Sequence, residues 1–375
     1  MTLIHAGTVV VDGEVCRPGW VDTHGARIVA CGSGTPTASA DVELPDSVVV
    51  PGFVDMHVHG GGGASFSDGE VERAAVFHAR HGTTTMLASL VTAAPAKLIA
   101  AVGLLADATR SGLIAGIHLE GPWLSVGRCG AHDPAQIRPP DREEIDAVLA
   151  AADGTVRMVT LAPELPGSDE AIPRFLDAGA VVAVGHTDAD YEQTRHAIAA
   201  GATVGTHLFN AMPPLNHREP GPALALLADP RVTVELIADG VHVHPDMVQG
   251  VIAAVGADRV AVVTDATAAA GCGDGEFRLG SVPVVVTSGV ARVRGTATIA
   301  GSTATMDRVF RAVARGAGLA AAVKTASATP ARALGLDGVG TIRAGFAANL
   351  VVLDQDLRVT GVMTNGQWRH VPGVR

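Results

Sequence analysis

The sequence predicts an α/β chain: a (β/α)8 TIM-like barrel with a second, small β-sandwich domain formed from both chain termini. Three observations lead there. From Val48 onward, short β-branched apolar runs alternate eight times with Ala-rich segments of helical spacing. No G-x-G-x-x-G follows the first run, and the number of repeats favours closure over an open doubly wound sheet, the alternative for such a pattern. The two ends of the chain share a texture of short strands and Gly or Asp turns that the middle lacks. The predicted division is 1–50 and 346–375 for the two parts of the β-domain and 51–345 for the barrel.

Residues 1–50 carry the strand patterns "TVVVDGEV" and "ARIVACGSG". The barrel runs follow as VVVPGFVDMH, TTTMLASL, LIAGIHLE, VRMVTLAPE, AVVAVGHT, ATVGTHLFN, RVTVELIADG and RVAVVTDA. Between them lie helical segments such as "APAKLIAAVGLLADATRSG", "DREEIDAVLAAADG" and "DADYEQTRHAIAAG", most opening on Pro or a polar capping residue and several closing on Gly. The final "GTIRAGFAANLVVLDQDLRVTGVMTNGQWRHV" returns to strands, with a turn at Asn365-Gly366.

At 375 residues the chain suits one large domain plus a smaller one. Aromatic residues make up only 3% of it, so the interior must be built from Ala, Val, Leu and Ile. A net charge of −11 and the absence of Lys/Arg runs exclude nucleic acid and anionic membrane surfaces as expected partners. "MTLIHAGTVVVDGEV" has no basic segment leading into an apolar one, and no apolar run is long enough to cross a bilayer; a cytoplasmic location is expected. Cys16, Cys31, Cys129 and Cys272 are scattered without a C-x-x-C pair, which predicts free thiols.

The stretch "VVVPGFVDMHVHGGGG" concentrates the chemistry. Side chains alternate along an extended chain, so His57 and His59 face the same way. Polar residues also close other runs: Glu120 the third, His186 the fifth, His207 the sixth and Asp265 the eighth. Each alone reads equally well as a hydrogen-bonded histidine or a solvated acid. Five strand ends sharing that accident is another matter, because the C-terminal ends of barrel strands converge on one mouth, where His and carboxylate groups suit a divalent metal.

The chain resembles the amidohydrolase superfamily and, within it, the N-acetylglucosamine-6-phosphate deacetylase family. The resemblance runs through "PGFVDMHVHG", "HLEGPW", "GAHDP", "GHTDA", "THLFNAM", "REPG", "ADGVHVHP", "VTDAT", "IAGS" and "ANLVVLD". It implies metal-dependent hydrolysis of the acetamide of a phosphorylated amino sugar, in amino-sugar catabolism and cell-wall sugar recycling. It makes Glu120, His186 and His207 ligands of the main metal. His57 and His59 would fill a second position, with Glu120 as bridge. One or two divalent ions per chain follow, zinc above others. Many dinuclear relatives use a carboxylated lysine at the end of strand four, whereas "VRMVTLAPE" has none and the only lysines are Lys97 and Lys324.

By the same resemblance a metal-activated water attacks the amide. Asp265 is general base and then acid, and His132 polarises the carbonyl. Arg218, His242 and the backbone at Asn210 and Ala211 would hold the phosphate, while Ile299, Ala300, Gly301 and Ser302 would line the sugar pocket. A homodimer is expected, and it could complete the phosphate site across its interface. Cys129 replaces a lysine common in the family before Gly-Ala-His, leaving either a reactive loop thiol or an inert one, with Arg128 as the candidate substitute cation. His118 fits a backing or a core role. His5, His24, His78, His81, His196 and His370 read as surface or packing residues. Two other readings stand beside this one: a different amidohydrolase (a deaminase or N-acyl hydrolase) and a catalytically inactive relative with a structural role. Arg218 and His242 speak against the first, and retention of Asp265 with every metal ligand speaks against the second.

Overall fold

The computed structural model describes residues 1–371. Eight parallel strands form the barrel: Phe53–Asp55, Thr83–Val91, Gly116–Glu120, Val156–Leu161, Val181–Val184, Val204–Gly205, Thr233–Leu236 and Val260–Val262. They pair in chain order, and a parallel bridge between Val58 and Ala266 joins the last to the first. Eight helices follow them in turn, from Val71–Arg80 to Met306–Ala317. Their starts use the chemistry the sequence shows. Asp141 accepts the Glu144 N–H, Asp190 and Gln193 form a reciprocal cap, and Pro occupies the first position at Pro95 and Pro245.

The apolar run that begins the barrel is two elements. Val42–Pro51 belongs to the terminal sheet, and only after Gly52 does the chain enter the barrel. That sheet is mixed, built from strands within residues 2–51 together with Leu350–Leu353, Val359–Thr364 and Gln367–His370. Alternation gives each of its faces a role. Val48, Val50, Val351 and Leu353 join the barrel's outer core, whereas Val49, Leu350 and Val352 pack with Ile4, Val21 and Met363 in a separate core. The opposing layer of the expected sandwich comes from the same sheet, which rolls over until Arg27 bridges Ala347 and the Ile28 N–H meets the Phe346 carbonyl at 2.9 Å.

Inside the barrel the inward positions are layered. Leu87, Met158, Ala183, Val204 and Val263 belong to an apolar plug. One step further along the strands lies a hydroxyl and imidazole layer. There His118 bonds the Ser89 and Thr160 hydroxyls, each at 2.9 Å, and Thr160 bonds Thr206 at 2.8 Å. Above it open the site residues. A three-stranded antiparallel sheet (Gly275–Leu279, Val282–Thr287, Val290–Val293), which the sequence reading does not include, lies between strand eight and its helix. Among the described residues, no helix is long and apolar enough to cross a membrane.

Candidate active site

His57 and His59 extend from the first barrel strand onto one side, with Nε2 atoms 3.2 Å apart. The glycines that follow are needed for what comes next. A Cβ on Gly60 would sit 2.2 Å from the Ala64 carbonyl, and Gly62 and Gly63 have φ of +61° and +80°. The loop can therefore lie along the segment after strand eight, with Gly62 and Gly63 N–H groups bonded to the Ala270 and Ala268 carbonyls. His78, buried on the first helix, donates from Nε2 to the Gly60 carbonyl at 2.9 Å and fastens the loop from outside.

Glu120 is the hub. Oε1 lies 3.1 Å from His186 Nε2, 3.0 Å from His207 Nε2 and 3.3 Å from His57 Nε2. Oε2 lies 3.1 Å from His59 Nε2 and 3.3 Å from His132 Nε2. Asp265 Oδ1 completes the group, 3.2 Å from His59 and 3.6 Å from His57. All are nearly excluded from solvent. Three of these residues, His186, His207 and Asp265, hold φ of 48°, 24° and 47°, a region disfavoured for a side chain with a Cβ. Backbone bonds pin each: Ser125 N–H to the His186 carbonyl at 2.8 Å, the His207 N–H to Glu235 at 3.1 Å, and Ser302 N–H to the Asp265 carbonyl at 2.7 Å.

What stands behind three of the rings fixes which way each lone pair points, while His207 Nδ1 has no partner. His186 Nδ1 faces the Arg128 carbonyl at 2.8 Å, His59 Nδ1 the Ser89 carbonyl at 3.2 Å, and His57 Nδ1 the Glu235 carboxylate at 3.0 Å. These acceptors require N–H at Nδ1, so in the neutral rings Nε2 turns a lone pair towards Glu120. Lone pairs and carboxylate oxygens converging at about 3 Å repel one another unless a cation lies among them. The donor set of imidazoles and carboxylates therefore fits a divalent metal, in a His57/His59/Asp265 group and a group of Glu120, His132 and His186, with Glu120 also within 3.3 Å of His57.

His132 differs. Its Nδ1 accepts from the Thr92 N–H at 3.2 Å and lies 2.9 Å from the Thr92 hydroxyl, so the proton sits on Nε2, which becomes a donor aimed inward. Although it stands in one cluster with Glu120 and His186, this tautomer suits a hydrogen-bond donor and not a ligand.

The same crowding of carboxylates favours positive charge at His57 and His59, as a proton on the ring or a metal beside it. Burial works against charge on His57, but Glu120, Glu235 and Asp265 outweigh it and hold the ring well above its ordinary value. His59, also opposed by burial, is raised to about 9 by hydrogen bonds to Asp265 and Glu120. Asp265 is drawn down to about 2 against burial by His57 and His59. Burial pushes His132 down to about 4, leaving it neutral over the working range.

A cavity of about 310 Å³ opens over this group, walled by Asn210, Ala211, His242, Ile299, Gly301 and Leu279 among others. Ala300, between two wall residues, turns away into the hydrophobic cluster of the three-stranded sheet. Asp239 accepts the His242 Nδ1–H at 2.8 Å, and although burial opposes charge, this bond raises His242 above its ordinary value. Arg218 is not in this wall. It is exposed on the 213–220 loop and lines a neighbouring depression with Asn216 and Glu219. Cys129 is half-buried and free, next to Gly130 of the wall. Arg128, the candidate substitute cation, is committed to Asp188 at 2.8 Å. His118 has both nitrogens on hydroxyls and packs edge-on against His57 with centroids 4.6 Å apart, which makes it a backing residue.

Residues 48–369 match the amidohydrolase family model. The chain belongs to the amidohydrolase family, in its N-acetylglucosamine-6-phosphate deacetylase branch. It is 36% identical to N-acetylgalactosamine-6-phosphate deacetylase of Escherichia coli O157:H7, over 93% of this chain and 95% of the relative. It is 33% identical to N-acetylglucosamine-6-phosphate deacetylase of Bacillus subtilis (strain 168), over 97% and 96%. Among solved structures, N-acetyl-D-glucosamine-6-phosphate deacetylase of Mycobacterium smegmatis, an Asp-to-Ala mutant in complex with N-acetyl-D-glucosamine-6-phosphate, is 54% identical over 99% of each chain with a TM-score of 0.97.

Asp239 beside His242 and Leu279 in the cavity wall escape the sequence reading, as do two residues behind rings of the cluster: Glu235 behind His57, and Thr92 behind His132. The last two lie in or beside barrel strands, and their only outward signal is a polar residue in an apolar run.

Proposed function

We propose that this chain hydrolyses the acetamide of N-acetyl-D-glucosamine 6-phosphate, releasing D-glucosamine 6-phosphate and acetate. The observation that carries this is the combination, in one cavity, of inward lone pairs from His57, His59 and His186 with a single inward N–H donor on His132. Glu120, His186 and His207 would hold the main divalent ion, zinc by donor type, and His57 with His59 a second. An ion held there would supply a water of lowered pKa, a nucleophile near neutral pH.

The rest is done by this chain's own groups. Asp265, ionised and at the edge of the cup, takes the proton of the attacking water and passes it to the sugar nitrogen as the C–N bond breaks. His132 donates Nε2–H to the acetyl oxygen as negative charge develops there, and Thr92 keeps it in the tautomer that can donate. His242, held by Asp239 and raised above its ordinary value by that bond against burial, and the backbone at Asn210 and Ala211 receive the phosphate. Arg218, exposed on the rim loop, is assigned to the same phosphate, in a homodimer as a contribution across the interface. Ile299 and Gly301 face the sugar. Cys129 is a loop neighbour of the site with no assigned step.

Acetate release from N-acetylglucosamine 6-phosphate, its 4-epimer and unphosphorylated N-acetylglucosamine tests the reading. Rapid release from the first, with kcat/KM at least about a hundredfold above the unphosphorylated sugar, supports it. Equal rates with and without phosphate, or none at all, would overturn it.

A further inference from the structure

Glu235 is fully buried on the seventh barrel strand, where an apolar residue would cost less. Among the described residues no lysine or arginine pairs with it. Its carboxylate oxygen Oε2 does two things. It accepts the Nδ1–H of His57 at 3.0 Å and the backbone N–H of His207 at 3.1 Å. Its backbone is held as well, since the Leu208 N–H donates to the Glu235 carbonyl at 2.9 Å. One atom thus joins the peptide that carries a ligand of the main site to a side chain of the second.

We propose that Glu235 is the positioning residue of the second metal position: an anion behind the His57 ring that fixes its tautomer and strengthens its inward Nε2 as a donor. Three details support this. Of the rings gathered round Glu120, the other three with a partner behind Nδ1 meet a peptide carbonyl or Thr92, so within that group a carboxylate stands behind His57 alone. A histidine backed by carboxylate is a better metal donor than one backed by a carbonyl. Among the described residues His57 is the one side chain that the buried carboxylate meets, the His207 N–H being its other partner and Oε1 having none. The inference rests on the two-metal reading above and deepens it.

The test uses the full chain, stripped of metal by a chelator and titrated with zinc against a chromophoric competitor. Wild type, Glu235→Gln and the double variant His57→Asn/His59→Gln are compared. The Gln amide oxygen can still accept from His57 and His207, so shape is kept and charge is lost. Wild type should show two affinities and the double variant only the tighter one. Glu235→Gln should keep the tighter within roughly threefold and weaken the other by about 10- to 100-fold. Both affinities unchanged, or both weakened alike as a structural role would produce, overturns the role of Glu235 alone. Fewer than two sites in wild type refutes the two-metal reading, and this inference with it. If Glu235→Gln does not unfold cooperatively on heating, Glu235→Asp decides on the same criteria, since it keeps the charge but withdraws it from His57 by one methylene.

Discussion

At the end of the eighth barrel strand Asp265 reaches His59 with one carboxylate oxygen, its backbone clamped between the His57 carbonyl and the Ser302 N–H. A group held so firmly can move a proton without moving itself. Asp265→Asn should cut turnover by at least about a hundredfold while the Glu120/His186/His207 metal stays bound, measured as steady-state rate and metal content on one sample. A near-normal rate would put the proton carrier elsewhere. Arg218→Ala should lower kcat/KM sharply for the phosphorylated sugar and barely affect the unphosphorylated one, because only the first has a phosphate to lose; equal losses would make it a folding residue. The His57/His59 pair was legible because strand alternation is a rigid rule, and Glu120, His186, His207 and Asp265 because each interrupts an apolar run at its end. Glu235 interrupts a run too, in "RVTVELIADG", but from inside it, where a single acid is indistinguishable from an exposed position on a half-buried strand. Its burial exists only once the barrel closes.

At the scale of elements, the first and eighth helices are tied beneath the site by a small polar group. Asp307 bonds His81 at 3.2 Å, Arg311 at 3.0 Å and the Thr305 hydroxyl. Burial alone would raise the Asp307 carboxyl, but the His81 and Thr305 bonds, with the charges of His81 and Arg311, hold it below its ordinary value. A carboxyl lowered by folding stabilises fully above its unfolded pKa, near 3.9, and loses that contribution as pH falls through the folded value. Asp307→Asn should therefore cost about 1–3 kcal/mol at pH 7 in urea unfolding, and the gap from wild type should narrow as pH is lowered below about 4. A gap independent of pH would deny that ionised Asp307 is what matters. The helix starts at Pro95, Asp141, Asp190 and Pro245 were readable from Pro or a capping side chain. The boundary inside "VVVPGF" was not, because an apolar run continues across two sheets and only Pro51-Gly52 marks the change. The three-stranded sheet had a readable signal in its Gly280-Ser281 turn, where Leu279 pairs with Val282. Its consequence, placing Leu279 in the cavity wall, depends on tertiary packing with Ala131 and Ala300.

For the whole molecule, the two chain ends pair in one sheet whose alternate residues serve two cores, so the barrel and the terminal strands share a boundary made of the same strands. The layering inside the barrel, apolar plug, hydroxyl ring and polar cup, follows from parallel strands in register and puts seven ionisable groups where solvent cannot screen them. Such a cup is stable only with positive charge at its centre. The direct test is to strip the chain of metal with a chelator, remove the chelator, and follow acetate release from N-acetylglucosamine 6-phosphate as zinc is returned in measured amounts. The account predicts that activity falls to a few per cent or less and recovers in proportion to zinc bound, reaching its plateau at about one to two ions per chain. Undiminished acetate release from a preparation shown by elemental analysis to be free of metal would contradict it.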